Sequence, residues 1–153
     1  LAATLDKLQR PGTEREVRAP AQAWWDSLAR QYLGRDVDFH AEALAAGDEV
    51  PRALFDSVAD NLLQNALAKR AAEPGLRVRA SLSAALELRV HDTGSAVPAA
   101  LAKSLLRAPV PSDSGLGIGL YQASRQAQAA GYELRLEKNL DGEVCFGLRR
   151  AVP

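Results

Sequence analysis

The spacing of apolar residues along the chain predicts helices and strands in a mixed order. Apolar residues at about every fourth position predict helices, and apolar residues at every second position predict strands. The predicted helices cover residues 21–33, 51–73 and 116–130, and the predicted strands cover residues 36–42, 77–83, 86–92, 132–138 and 143–149. A short extended stretch begins at Val17.

Turn-forming residues separate these elements. Pro51 suits the first position of the long helix, and Gly131 suits the cap of the last helix. Two hairpins are expected, one through Ala84-Ala85 and one through the segment 139–142, Asn-Leu-Asp-Gly. Residues 97–114 contain three prolines and are predicted to form mostly a loop.

One face of each predicted strand is polar, so the helices are expected on the other face only. The order of elements then predicts a mixed sheet and an α/β two-layer sandwich. We expect one domain over residues 17–153, and residues 1–16 are interpreted as a linker or as the end of an upstream helix.

Composition narrows the classes of partner. The 153 residues carry 19 Lys and Arg against 19 Asp and Glu, and this zero net charge disfavours DNA or RNA as a partner. No apolar run approaches the roughly eighteen residues of a membrane span, so no membrane contact by this fragment is expected. The single cysteine, Cys145, fits a reducing, cytoplasmic setting. The absence of methionine suggests a portion of a longer protein.

Three glycines alternate with apolar residues at the start of the last predicted helix. They are Gly115, Gly117 and Gly119. A helix N-terminus offers unpaired N–H groups, and glycines let an anion approach that backbone. Strand ends, helix caps and dinucleotide sites use similar turns, but the spacing fits neither the dinucleotide fingerprint nor a P-loop.

A polar stripe runs along the long helix beside its apolar stripe. Asn61, Asn65 and Lys69 recur at four-residue intervals. A solvated face is one interpretation. Asparagine is a poor helix former, however, and an amide oxygen is a suitable ligand for Mg²⁺, which also takes oxygens from substrate phosphates.

An acidic residue ends one strand just before a glycine turn, in the sequence His91-Asp92-Thr93-Gly94. A carboxylate there can accept a hydrogen bond from an amino group such as that of adenine. An ordinary aspartate turn is the alternative.

These three segments, in this order, resemble the nucleotide-binding domain of sensor histidine kinases, which belongs to the Bergerat ATPase superfamily. Residues 60–67 (DNLLQNAL) look like the N box of that family, residues 92–98 (DTGSAVP) like its first glycine box, and residues 115–120 (GLGIGL) like its second. The resemblance runs from about Val17 to Arg150 and implies the Bergerat ATP-binding fold with ATP and Mg²⁺ as ligands.

The family pattern also implies residue roles. Asn65 would coordinate Mg²⁺ with support from Asn61, Asp92 would recognise adenine, and Gly94 would let the base approach the backbone. Lys69 is the candidate phosphate contact, although the usual lysine of the family corresponds to Ala68. The phosphate loop would consist of Gly115, Leu116, Gly117, Ile118, Gly119 and Leu120.

The resemblance implies a reaction and its partners. Asn61 stands where hydrolytic relatives carry a glutamate, and an amide cannot act as a general base. Transfer of the γ-phosphoryl group to a histidine on a separate dimerisation domain is therefore expected, for relay to a response regulator. The parent would be a homodimer with this domain in the cytoplasm, and its anchoring in the inner membrane stays open. His40 and His91 are interpreted as surface or packing residues.

Departures from the family pattern keep two alternatives open. Ala96 replaces a glycine of the first glycine box and narrows the space for a base, and the lid at residues 99–114 is short. A degenerate, inactive protein-interaction module of the same fold is one alternative. A serine kinase of the anti-sigma-factor type is the other.

Overall fold

Five strands form one mixed sheet, and a separate pair of short strands lies beside it. The computed structural model describes residues 17–108 and 116–152. The strands are β1 (Arg18–Pro20), β2 (Val37–Ala41), β3 (Glu49–Pro51), β4 (Val78–Leu82), β5 (Leu88–Asp92), β6 (Tyr132–Leu140) and β7 (Glu143–Arg150). The helices are α1 (Ala21–Gln31), α2 (Arg52–Ala72), α3 (Ala99–Ala102) and α4 (Leu116–Ala129).

The order of strands in the main sheet is β2-β4-β5-β7-β6. β2 runs parallel to β4, and the remaining neighbours are antiparallel. Asp92, the last residue of β5, pairs with Val78 on one side and Val144 on the other. The predicted two-layer α/β sandwich with a mixed sheet is confirmed, and its register places Asp92 where β5 leaves the sheet.

Helix α2 supplies the centre of the core. Its buried residues are Leu54, Phe55, Val58, Ala59, Leu62, Leu63 and Ala66. Phe55 lies edge-on to Trp24 of α1 at 5.3 Å and to Tyr132 of β6 at 5.7 Å between ring centroids. Two hydrogen bonds join α1 and its C-cap residue to α2, from Trp24 Nε1 to Asp56 (2.8 Å) and from Tyr32 Oη to Asp60 (3.2 Å). α2 is thus packed between α1 and strand β6.

Several local predictions differ from the structure. Strand β3 was not expected, because three residues are too few to show alternation; it pairs with β1, and Pro51 therefore precedes α2 as its N-cap. The first helix ends at Gln31, and the predicted loop at 97–114 contains the short helix α3. Strand β6 continues to Leu140, so Asp141 and Gly142 alone form its turn.

Some predictions fall on residues outside the described ranges. They are the linker or helix end at residues 1–16, the lid residues after 108, and Gly115. Within the described ranges, none of the helices combines the length and apolar character needed to cross a bilayer.

Candidate nucleotide-binding site

The polar stripe of α2 is not a solvated face. Asn61, Asn65 and Lys69 are each partly buried, whereas Asp60 and Gln64 on the neighbouring stripe are exposed. A solvated face would have shown the opposite. The stripe therefore faces other parts of the molecule.

Asn61 faces the first turns of α4. A methyl group built on Gly119 would lie 2.5 Å from Asn61 Oδ1, which is closer than real side chains approach. Turning Asn61 away would break the hydrogen bond that its Nδ2 donates to the carbonyl of Ser57 at 2.9 Å. Because position 119 is a glycine, the N-terminal part of α4 can lie against the asparagine stripe.

Asn65 lies one turn further along α2. Its Nδ2 atom is buried and has no hydrogen-bond partner among the described residues. A buried amide without a partner is costly, so such a group is a candidate ligand-binding group. Rotation of the amide by half a turn exchanges the positions of its nitrogen and its oxygen. Asn65 can therefore present an oxygen, which is the kind of ligand that Mg²⁺ requires.

The described residues contain no cluster of three His, Cys, Asp or Glu side chains suited to a metal ion. A divalent ion at Asn65 would therefore depend on the amide oxygen, on water and on oxygens of the ligand. Mg²⁺ in phosphate-binding sites has this kind of coordination, with few protein ligands.

Asp92 and Lys69 form an ion pair at the other end of the stripe. Lys69 Nζ donates to Asp92 Oδ1 at 2.8 Å and to the carbonyl of Ser95 at 2.5 Å. The Asp92 side chain is 9% exposed and that of Lys69 is 20% exposed. Gly94 N also donates to Asp92 Oδ1, at 2.9 Å. Lys69, predicted to contact phosphate, thus lies with the predicted adenine residue in this structure.

Gly94 is a point of close approach. A methyl group built there would lie 2.8 Å from Lys69 Cε and from Leu76 Cδ2, and 3.1 Å from Asp92 Oδ1. Glycine is thus needed at this position even without a ligand. The lysine side chain occupies the face of the turn that the family resemblance assigns to the base.

Glu73, at the C-terminal end of α2, holds the same turn from outside. Its carboxylate accepts hydrogen bonds from Ser95 N at 2.9 Å and from Ser95 Oγ at 2.7 Å. Both bonds hold the pKa of Glu73 below its ordinary value, and the bond from the Ser95 hydroxyl has the larger effect. The glycine turn is therefore tied to α2 by two residues four positions apart, Lys69 and Glu73.

The tip of the β6–β7 hairpin ties the turn from the opposite side. Gly142 N donates to Gly94 O (2.8 Å), Ala96 N donates to Asp141 Oδ1 (2.9 Å), and Asn139 and Val97 exchange two bonds (2.7 and 2.9 Å). These bonds engage the backbone of the turn on both sides of Ser95. The turn is thus fixed before any ligand binds.

The remaining predicted residues lie on α4. Leu116 and Gly117 begin the helix, Ile118 is exposed, and Leu120 is buried in the core. Lys103 and Arg107, two cations in the segment predicted to form the lid, line a different cleft of about 430 Å³ beside Ser124 and Arg135. Neither cation meets the asparagine stripe in this structure.

Sequence reasoning did not find Glu73, Ser95, Asn139 and Asp141 as parts of the site. The segment 139–142 was recognised only as a turn. Its contacts join residues 42 and 45 positions apart in sequence, and no local pattern reports such pairs.

Solved structures share the fold of this chain. The catalytic domain of the histidine kinase ThkA, in a nucleotide-free form, superposes with a TM-score of 0.66 at 18% identity and covers 90% of this chain and 98% of that one. The chain has the fold of histidine kinase catalytic domains. No family model and no curated protein matches the sequence.

Two longer structures share the histidine kinase fold. The cytoplasmic segment of the histidine kinase QseC has a TM-score of 0.59 at 18% identity, covering 99% of this chain and 89% of that one. ThkA in complex with the response regulator TrrA has a TM-score of 0.62 at 16% identity, covering 98% of this chain and 47% of that one. At these identities the likeness establishes the fold, and the chemistry must be argued from the site.

Proposed function

We propose that this chain is the ATP-binding catalytic domain of a two-component sensor histidine kinase. One observation carries the proposal: Asn61, Asn65 and Lys69 lie on one partly buried stripe that meets Gly119 at one end and Asp92 at the other. A nucleotide site needs a hydrogen-bond acceptor for the base and accessible backbone N–H groups for the phosphates. The stripe runs between residues that offer these two features.

The base end is assigned to Asp92 and Gly94. All hydrogen bonds that the described residues donate to Asp92 go to Oδ1. Oδ2 is then the acceptor for the amino group of adenine. A carboxylate acceptor favours adenine over guanine, which presents an oxygen at the corresponding position.

The phosphate end is assigned to Asn65 and to the N-terminal turn of α4. When bound, Mg²⁺ held through the amide oxygen of Asn65 supplies charge neutralisation to the phosphates. The glycines of α4 leave its N–H groups accessible to a phosphate oxygen. Asn61 orients this end through its contact at Gly119.

The reaction assigned to this site is transfer of the γ-phosphoryl group to a histidine on a separate dimerisation domain, followed by relay to a response regulator. The Asn61 amide cannot deprotonate water, which disfavours rapid hydrolysis. Phosphoryl transfer depends instead on alignment and charge neutralisation. The ThkA–TrrA complex, a kinase of this fold with a response regulator, supports the assignment of the second partner. The same assignment places the domain in the cytoplasm, within a homodimeric parent.

Calorimetry with ADP and Mg²⁺ tests the binding step. A hydrogen bond to a charged group contributes roughly 1.5–3 kcal/mol, so Asp92→Ala should weaken ADP binding by about ten- to a hundred-fold. Asp38→Ala, on an exposed position of β2, is the matched control and should leave affinity unchanged. Absence of binding by the unmodified chain at millimolar ADP would favour the interaction module instead.

The chemical step is tested with the parent protein and labelled ATP. A phosphohistidine is lost in acid and survives in base, whereas a phosphoserine survives in acid. An acid-labile product supports the histidine kinase. An acid-stable product would transfer the assignment to the serine kinase.

A further inference from the structure

Lys69 contacts both residues that the proposed adenine pocket requires, Asp92 and Gly94. Its Nζ bonds to Asp92 Oδ1, and its Cε lies with Leu76 Cδ2 on the side of Gly94 where a side chain would stand. The family resemblance suggested a phosphate contact for Lys69 instead. The structure therefore raises the question of what this lysine does at the base end.

We propose that Lys69 sets the affinity of the base pocket by competing with the purine for the space beside Gly94. This inference rests on the proposed function, because it concerns the same pocket. A base that approaches Gly94 needs the space of the Lys69 side chain. When the base enters, Lys69 has to leave Asp92 Oδ1, and the base bonds to Oδ2 of the same carboxylate.

The burial of the pair gives the departure of Lys69 a measurable cost. With side-chain exposures of 9% and 20%, Asp92 and Lys69 are screened less by water than a surface pair. Lys69 also gives up its bond to the Ser95 carbonyl when it leaves. The competition therefore weakens binding of every ligand that enters through the base end.

Adenosine is the appropriate probe because it carries no phosphate. Its affinity reports the base end alone, without charge attraction between Lys69 and a triphosphate. Lys69→Met keeps most of the side-chain length but removes the ammonium group. We expect Lys69→Met to bind adenosine about three- to ten-fold more tightly than the unmodified chain, the equivalent of roughly one partly buried ion pair.

The chain offers a matched control. Lys138 pairs with Glu143 at 2.7 Å on the hairpin, where the side chains are about half exposed. Lys138→Met removes the same charge and an ion pair of similar length without touching the turn. It should leave adenosine affinity unchanged. Lys69→Arg, which keeps a positive charge beside Asp92, should bind no more tightly than the unmodified chain.

The outcomes separate the two proposals. Tighter adenosine binding by Lys69→Met, with Lys138→Met unchanged, supports the competing role. Equal or weaker binding by Lys69→Met, while the unmodified chain binds ADP, overturns that role and leaves the proposed function intact. Absence of ADP binding by the unmodified chain overturns both.

Discussion

Asn61 and Gly119 lie so close together that a side chain at position 119 would collide with the Asn61 amide oxygen. A methyl group on Gly119 would lie 2.5 Å from Asn61 Oδ1, and the Asn61 amide is anchored to Ser57. Both residues lie within helices, so the closeness comes from the packing of α4 on α2 and not from an unusual backbone conformation. The contact joins two motifs that are 58 positions apart in the sequence.

Gly119→Ala should push Asn61 away from Ser57 and disturb the phosphate end of the site. We expect ADP affinity to fall by about ten-fold, the effect of roughly one misplaced hydrogen-bonding group. Calorimetry with ADP and Mg²⁺ measures this change.

A double-mutant cycle on stability isolates the cause. In the unmodified background, Gly119→Ala should lower the free energy of unfolding because of the collision. In an Asn61→Ala background the collision is gone, so the same change should raise it by up to about 1 kcal/mol through helix propensity. The same sign in both backgrounds would show that Asn61 is not what excludes a side chain at position 119.

Asn139→Ala should loosen the glycine turn from the hairpin side. The change removes both bonds with Val97 and leaves the N–H and carbonyl groups of a half-buried residue without these partners. We expect a loss of about 1–3 kcal/mol in the free energy of unfolding, measured by urea denaturation, together with weaker adenosine binding. Leu140→Ala, at an exposed neighbouring position, is the control. Full adenosine affinity in Asn139→Ala would mean that the hairpin stabilises the fold without positioning the pocket.

Cys145 should react slowly with alkylating agents in the folded protein. Burial first, and then the charge of Glu137, raise the pKa of its thiol from 9.0 to about 11. Labelling by iodoacetamide at about pH 8, where an ordinary thiol is partly ionised, should therefore be much slower than in urea. The sequence contains no other cysteine, so mass spectrometry reports this site alone.

The same shift fixes the sign of a pH effect. The folded state disfavours the Cys145 thiolate. The contribution of this thiol to the free energy of unfolding is therefore complete below about pH 9 and is lost as the pH rises through about 11. Cys145→Ser should reduce this alkaline loss. A native labelling rate equal to the rate in urea would contradict the burial argument.

Regular patterns in the sequence predicted the larger elements well. The four-residue spacing of Leu54, Val58 and Leu62 predicted α2, and all three are buried. Alternation predicted β4 and β5, which pair over their full lengths. Three-residue β3 was missed because its pairing with β1 depends on where distant parts of the chain meet. The asparagine stripe was visible because helical spacing is a local property.

The partners of those site residues were not visible in the same way. Lys69 lies 23 positions before Asp92, and its choice between a phosphate and a carboxylate depends on the path of the backbone after β5. The bonds from Asn139 and Asp141 to the glycine turn depend on the length of β6, which was predicted two residues too short. Local patterns therefore indicated the candidate site residues, whereas their hydrogen-bond partners depend on the tertiary structure.

Helix α2 passes along the proposed nucleotide site, with Asn61 near the phosphate end and Lys69 beside the base end. Asn61 and Lys69 are eight positions apart on it, which corresponds to about 12 Å along the axis. Because a packed helix does not stretch, this separation stays constant while loops move around it. A nucleoside or a free phosphate spans only part of that length, and a ligand that touches both residues must be about as long as a nucleotide.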